Sequence, residues 1–392
     1  MLWRKIRVHR QWFNLDHNYP LADIISALEF DETGAYLATG DRGGRAVIFK
    51  DTPTGYAFFA EFQSHEPEFD YLRSVEIDEQ INRIKWCKQS TNTIIKLWKI
   101  SNRRSARSTA SSSSSCTAAD RFVPVHQNSY KGSHLFHINS ISPNIDGLTF
   151  LSADDLKITL WQLENPKAFI SMVDLRPQPM DDIQQVITTA IFHPQYTYQF
   201  LYATSRVTLN KWKHDEDRHD PLNVDRNQPI LFGDLFSTIS DAKFSPCGRY
   251  VLARDFHSLQ LWDTHKLNRP VVDIPIPPDV STRKQVQNKL LDWYATEAIF
   301  EDKFECGFDG TSRYIHTGAY NNMNFIFDLE GNLVSSIFSD KSIFEQKKAA
   351  QAASPPEKAF SFSKKVVTSV WNPKGNSIAS AAANNLFIFR TI

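Results

Sequence analysis

The stretch ISDAKFSPCGRYVLARDFHSLQLWD, Ile239–Asp263, reads as three short strands separated by SPCGR and DFHS. Its apolar residues fall at period two, the mark of a half-buried strand, and Pro, Gly, Asp and Ser are turn formers. The phrase recurs as ISALEFDETGAYLATGDRGGRAVIFK (Ile25–Lys50), INSISPNIDGLTFLSADDLKITLWQL (Ile138–Leu163) and VITTAIFHPQYTYQFLYATSRVTLNKWK (Val186–Lys213). Two further copies are DKFECGFDGTSRYIHTGAYNNMNFIFD (Asp302–Asp328) and VVTSVWNPKGNSIASAAANNLFIFR (Val366–Arg390). INRIKWCKQSTNTIIKLWKI, Ile81–Ile100, is a shortened copy.

These units close on Phe49, Trp98, Trp161, Trp212, Trp262, Phe327 and Phe389. A strand-rich unit of roughly 40–45 residues ending in an aromatic is the sign of a WD-type β-propeller blade. The expectation is an all-β chain, 1–392, forming one seven-bladed WD-type propeller domain, the aromatics packing blade on blade. A ring needs a closing strand from before the first unit, and Trp12–Leu15 is the expected one. In the second unit only Lys88–Thr93 separates the first strand from Ile94–Ile100, too few residues for another strand of about 5–6 residues with two turns. Blade two is therefore either incomplete or has lost a segment.

Lys plus Arg and Asp plus Glu both total 44, so the formal charge is zero and the basic excess of a nucleic-acid or membrane-surface binder is missing. The four cysteines form no CxxC pair, which points to inert thiols in a reducing compartment. The N-terminus is too polar for a signal peptide, and no apolar run approaches the length of a membrane span. A cytoplasmic location is expected, with the nucleus left open.

Four insertions lengthen the ring. Asp51–Gln80 carries the acidic, aromatic FQSHEPEFDYLRSVEIDEQINRI (Phe62–Ile84). Ser101–Phe136 includes a Ser-rich tract, with 101–120 expected to be disordered. Pro278–Tyr294 has helical spacing at Val286, Leu290 and Tyr294, and 339–365 reads as a mobile linker.

Because blade strands a to d alternate in direction, b–c and d–a loops share one face. That face collects Asp23, the Asp41–Gly44 turn, Asp78, Glu79, Asp154, Asp155, Asp181, Asp182, Phe232 and Asp234, with Arg42, Arg254 and Lys303 as countercharges. An acidic groove with aromatic edges is expected there. No GxSxG, HExxH, phosphate loop or spaced metal-ligand set occurs, so no cofactor or metal is expected and the chain reads as a binding module. The GDRGG turn is explained by a need for positive φ rather than by phosphate cradling.

Whole phrases carry a family resemblance: ADIISALEF (22–30), LATGDRGGRAVIF (37–49), FQSHEPEFDYLRS (62–74), LSADDLKITLW (151–161), SDAKFSPCGRYVLARD (240–255), DKFEC (302–306) and TGAYNN (317–322). In these the chain resembles the B-type, WD-repeat regulatory subunits of protein phosphatase 2A. The resemblance implies a non-catalytic targeting subunit that docks on a HEAT-repeat scaffold subunit, next to the catalytic subunit. It also implies recruitment of phosphoprotein substrates with basic segments through the acidic face. The matching substrate positions are Asp78, Glu79, His137, Asp154, Asp155, Asp181, Asp182, Ile183 and Phe232, with Arg42 as a basic rim. The scaffold arm is short and Ser-rich, keeping only Phe122, Val123, Pro124 and Val125 as expected scaffold contacts, and Gln80 is neutral where the family tends to be basic. The alternative is a generic WD-repeat adaptor of another protein complex.

Overall fold

The computed structural model describes residues 3–6, 21–66, 68–70, 75–77, 79–87, 95–102, 122–178, 180, 183, 185–205, 208–213, 220–223, 238–266, 269–295, 302–340, 361–375 and 377–391. Within them the chain is an all-β propeller. Blades are numbered below by their repeat unit, with strands a to d from the innermost outward. Blade 1 consists of Ile25–Phe30, Tyr36–Asp41, Arg45–Thr52 and Gly55–Gln63, each antiparallel to the next. Blade 3 (Ser140–Pro143, Thr149–Ala153, Lys157–Gln162, Phe169–Asp174) repeats the order. So do blade 4 (Ile187–Phe192 to Asp220–Asn223), blade 5 (Asp241–Phe244 to Val272–Pro275) and blade 6 (Cys306–Phe308 to Leu333–Phe338).

The closing blade is Val366–Trp371, Ser377–Ala382 and Asn385–Thr391, with Trp3–Ile6 as its outer strand, Trp3 opposite Thr391 and Ile6 opposite Ile388. The ring is thus closed by Trp3–Ile6 and not by the expected Trp12–Leu15, which lies outside the described residues. An outermost strand needs only one paired edge, so its residues carry little pattern.

Among the described residues seven complete blades are not confirmed. Six four-stranded sheets are present among the described residues, and position two holds the extended segment 81–87 and a two-stranded sheet, Lys96–Asn102 with Phe122–Ser129. Segment 81–87 still bridges its neighbours. Ser26 Oγ donates to Ile81 O at 2.6 Å, and Asn82 Nδ2 donates to Ile138 O at 3.2 Å. The Ser101–Asn102 end of the expected disordered tract is strand; the rest of that tract up to 120, like most of the 339–365 linker, lies outside the described residues.

The core is distributed between blades. Small and apolar second strands such as Ser377–Ala382 are buried along their whole length because both faces are covered. Phe49, Trp161, Trp262, Phe327 and Phe389 are buried as expected. Trp98 is only half-buried, because position two has less around it. The remaining insertions occupy the face of the b–c and d–a loops. A short hairpin, Glu68–Asp70 with Val75–Ile77, gives the acidic stretch strand structure that its sequence did not suggest. The expected helix is α1, Val280–Ala295, whose Val286 packs with Phe304 and Tyr320.

Candidate functional site

The b–c turns of blades 1, 3 and 5 are built by one device. An aspartate ends strand b and accepts backbone N–H groups two to four residues on, the Asx arrangement that substitutes a side chain for a backbone acceptor. Asp41 takes Arg45 N at 2.8 Å, Asp154 takes Leu156 N at 2.9 Å and Lys157 N at 2.6 Å, and Asp255 takes His257 N at 2.7 Å. Gly44, at φ 78°, completes the first turn, and its carbonyl accepts Ser64 N and His65 N. A Cβ there would sit 2.4 Å from His65 O, so the positive-φ reading of GDRGG holds.

In blade 3 the device extends into the core. Trp161 Nε1 donates to Ser152 Oγ at 2.7 Å, Ser152 Oγ lies 2.6 Å from His134 Nε2, and His134 Nδ1 lies 2.9 Å from Asp154 Oδ2. Since the indole can only donate, the hydroxyl proton is free for Nε2, and Nδ1–H then points at the carboxylate. Burial pushes Asp154 up, but His134 and the two backbone N–H groups outweigh it and hold its carboxyl below the usual range. Asp154 is therefore buried and engaged inside its own turn.

Asp155 is half-buried and joins a polar network between distant repeat units. Asn139 Nδ2 donates to its Oδ1 at 2.6 Å, and Lys303 Nζ, from blade 6, donates to Asn139 Oδ1 at 3.1 Å. Beside them Arg83 pairs with Glu305, Arg83 Nε donates to Asn139 O at 3.0 Å, and Thr368 donates to Glu305. Groups from position two, blade 3, blade 6 and the closing blade thus meet in one network. Burial holds the Lys303 ammonium below its ordinary range, and Asp155 offsets that only in part.

Glu79 and His137 are both exposed and line one cleft of about 510 Å³ at position two, together with Leu135 and Phe136. Ile183 is exposed on the same face, and Arg42 is half-buried in its turn. Asp78, Asp181, Asp182 and Phe232 lie outside the described residues. Two further acids of the face are neutralised within blade 1, where Arg45 Nη2 lies 3.0 Å from Asp23 and 2.9 Å from Asp41. Arg254 is a correction to the sequence reading. It is not a rim countercharge but a core residue, 1% exposed, donating to Thr317 Oγ1 at 3.1 Å and Ser258 O at 3.1 Å and lying over the Phe304 ring. Burial lowers its guanidinium to about 10. Long aliphatic stems let arginine bury where such acceptors converge, which single-residue composition does not reveal.

Sequence reasoning missed the exposed Leu135, Phe136 and Met180 on this face; the run LFHIN, with two large apolar residues ahead of a strand, was the available signal. On the opposite face Pro124 is half-buried and Val125 is exposed, both on strand Phe122–Ser129. Among the described residues no three His, Cys, Asp or Glu side chains converge as a metal site requires. Among them, too, no helix is long and apolar enough to cross a membrane.

No protein-family model matches the chain. Curated relatives do. It is 36% identical to the regulatory B subunit of protein phosphatase PP2A from Schizosaccharomyces pombe, over 94% of this chain and 93% of the relative. It is 35% identical to the PP2A 55 kDa regulatory subunit of Drosophila melanogaster, over 96% and 85%. It is 36% identical to the B gamma isoform of the serine/threonine-protein phosphatase 2A 55 kDa regulatory subunit of Mus musculus, over 96% and 95%. The alignments run over 432 to 444 positions against the chain's 392 residues, so the relatives carry segments that this chain lacks.

Proposed function

The chain belongs to the family of 55 kDa regulatory B subunits of protein phosphatase 2A, and from that premise we propose that it is a targeting subunit which brings phosphoproteins with basic segments to the phosphatase. Members of the family are named as regulatory and not catalytic subunits, so its part is recognition. We read the chain as one propeller domain with seven ring positions, the second half-built.

The observation that carries the proposal is the pairing of exposed or half-exposed carboxylates, Glu79 and Asp155, with exposed apolar side chains, Ile183 among them, on one face of a chain without net charge. Carboxylates there receive substrate Lys and Arg, and the apolar groups cover aliphatic neighbours. Asp78, Asp181, Asp182 and Phe232 belong to the same surface in this reading, with His137 and Arg42 at its rim. Asp154 contributes by holding the turn that presents Asp155. Pro124 and Val125, with Phe122 and Val123, contact the HEAT-repeat scaffold from the opposite face. The compartment is cytoplasmic or nuclear, in keeping with unpaired Cys87, Cys247 and Cys306.

Co-purification tests this. The full chain, expressed with a tag in its own cells, is expected to bring down scaffold and catalytic subunits with serine/threonine phosphatase activity. A chain recovered with other partners and no such activity would favour the general adaptor instead.

A further inference from the structure

In each complete blade a second strand runs between the first and third. In position two, segment 81–87 and strand Lys96–Asn102 instead border the cleft of about 510 Å³. Among the described residues Lys96–Asn102 pairs only with Phe122–Ser129, and no backbone hydrogen bond joins it to 81–87. One strand edge, that of Lys96–Asn102, thus borders, unpaired among the described residues, a cleft within the 300–1,000 Å³ range typical of ligand sites.

We propose that this cleft accepts an extended segment of a partner polypeptide, which adds to Lys96–Asn102 as the second strand of the blade. The surroundings specify that segment. Its apolar walls are Phe62, Ile84, Leu97, Ile138 and Phe150, with Glu79, Arg83 and His137 among the polar groups of the lining. In blade 3 the closing tryptophan donates to Ser152 of the second strand, whereas Trp98 Nε1 reaches out of its blade to Ser64 Oγ at 3.0 Å. A serine at the matching place of the incoming strand would take that donor. Lys96 Nζ is held by Ser64 O at 2.8 Å and by no carboxylate among the described residues, while the second strands of blades 1, 3 and 5 end in or at Asp41, Asp154 and Asp255. The occupant is therefore about seven residues, apolar, serine and small side chains ending in carboxylates, the pattern of TFLSADD at 149–155. Such strand addition draws its affinity from main-chain bonds and its selectivity from alternate side chains. Glu79 and His137 line the same cleft, but the main-chain bonds proposed here are made by Lys96–Asn102.

The probe is fluorescein-labelled TFLSADD titrated into the full chain by fluorescence anisotropy, with amide hydrogen exchange of 81–87 and 96–102 as second readout. Saturable binding and slowed exchange in both segments are expected, and TFPSADD, which lacks one donor and cannot sit mid-sheet, should not bind. Lys96→Glu is expected to weaken TFLSADD about two- to fivefold and to favour TFLSAKK by a similar factor. Three results would overturn the proposal: no saturation by about 1 mM peptide, a range that covers even weak complexes; equal binding of the proline peptide; or a cleft whose amides are already protected without peptide, which would mean that the chain fills it itself.

Discussion

Replacing Ser152 with alanine separates a structural from a ligand-binding role for Asp154. The serine hydroxyl accepts from Trp161 Nε1 at 2.7 Å and lies 2.6 Å from His134 Nε2, in a side chain with no exposed surface. Its removal leaves two buried polar groups without a partner, at about 1–3 kcal/mol each. Blade 5 sets the lower end of the range. There Ala253 occupies the matching position, and Trp262 Nε1 is buried with no hydrogen-bond partner among the described residues, a defect the fold tolerates. His134 is the additional loss in blade 3, since its Nε2 contact orients Nδ1 toward Asp154. The expected destabilisation is about 3 kcal/mol, measured by urea unfolding with tryptophan fluorescence. The double variant Ser152→Ala, Trp161→Phe should show a coupling of about 1 kcal/mol. Capture of a basic phosphopeptide, measured well below the melting temperature, should stay within about twofold of the unmodified chain, which is less than the effect of losing even one good surface pair. A change in stability below about 0.5 kcal/mol, the scale of an ordinary surface substitution, together with lost capture would refute the assignment and make Asp154 a ligand-binding group.

Three further outcomes are expected. Asp155→Asn and Glu79→Gln should each weaken capture of a basic phosphopeptide about two- to fivefold, additively and less so at high salt, as exposed ion pairs do; an isothermal titration at two salt concentrations reads this. His316 is buried, with Nδ1 3.2 Å from Ser369 Oγ, and burial, aided by Lys243, lowers its imidazole from 6.5 to about 3. Its depressed value means that its contribution is whole above pH 6.5 and lost as pH falls toward 3, at up to about 1.4 kcal/mol per pH unit; urea midpoints for His316→Gln should fall less steeply with acid. Asn372 Nδ2 spans the seam between the closing blade and blade 1, donating to Gly34 O at 3.0 Å and Tyr56 Oη at 3.1 Å, and Asn372→Ala should cost about 2 kcal/mol in thermal or urea unfolding.

What could be read from sequence was local. Period-two runs and their turn residues placed the first three strands of every complete blade, while the outer strands left no such mark, and GDRGG announced its positive-φ glycine. Asp154 was legible as a turn residue accepting from Leu156 and Lys157, but its bond to His134 involves a loop twenty residues away, and composition does not reveal that a carboxylate is already engaged. The Arg83–Glu305 pair and the Lys303–Asn139–Asp155 chain join positions that only ring closure brings together, so no window of sequence contains them. Trp3–Ile6 was missed for the opposite reason: as an edge strand it is asked for too little to leave a pattern.

Those hidden contacts change how the acidic face can work. Asp23 and Asp41 are neutralised by Arg45, Asp154 by its turn, and Asp155 shares Asn139 with Lys303, so few of the described acids remain for a ligand. At about 0.2–1 kcal/mol per exposed pair, two or three carboxylates fall well short of the roughly 8 kcal/mol of a micromolar complex. Apolar burial has to provide most of the difference, at about 25 cal/mol per Å², and Leu135, Phe136, Met180 and Ile183 are the exposed groups on that face able to supply it. The carboxylates would then select which basic segment lands and in what orientation, while the apolar groups hold it. On this argument Leu135→Ser with Ile183→Ser should reduce capture more than loss of either acid, and a salt titration of the double variant should be no flatter than that of the unmodified chain.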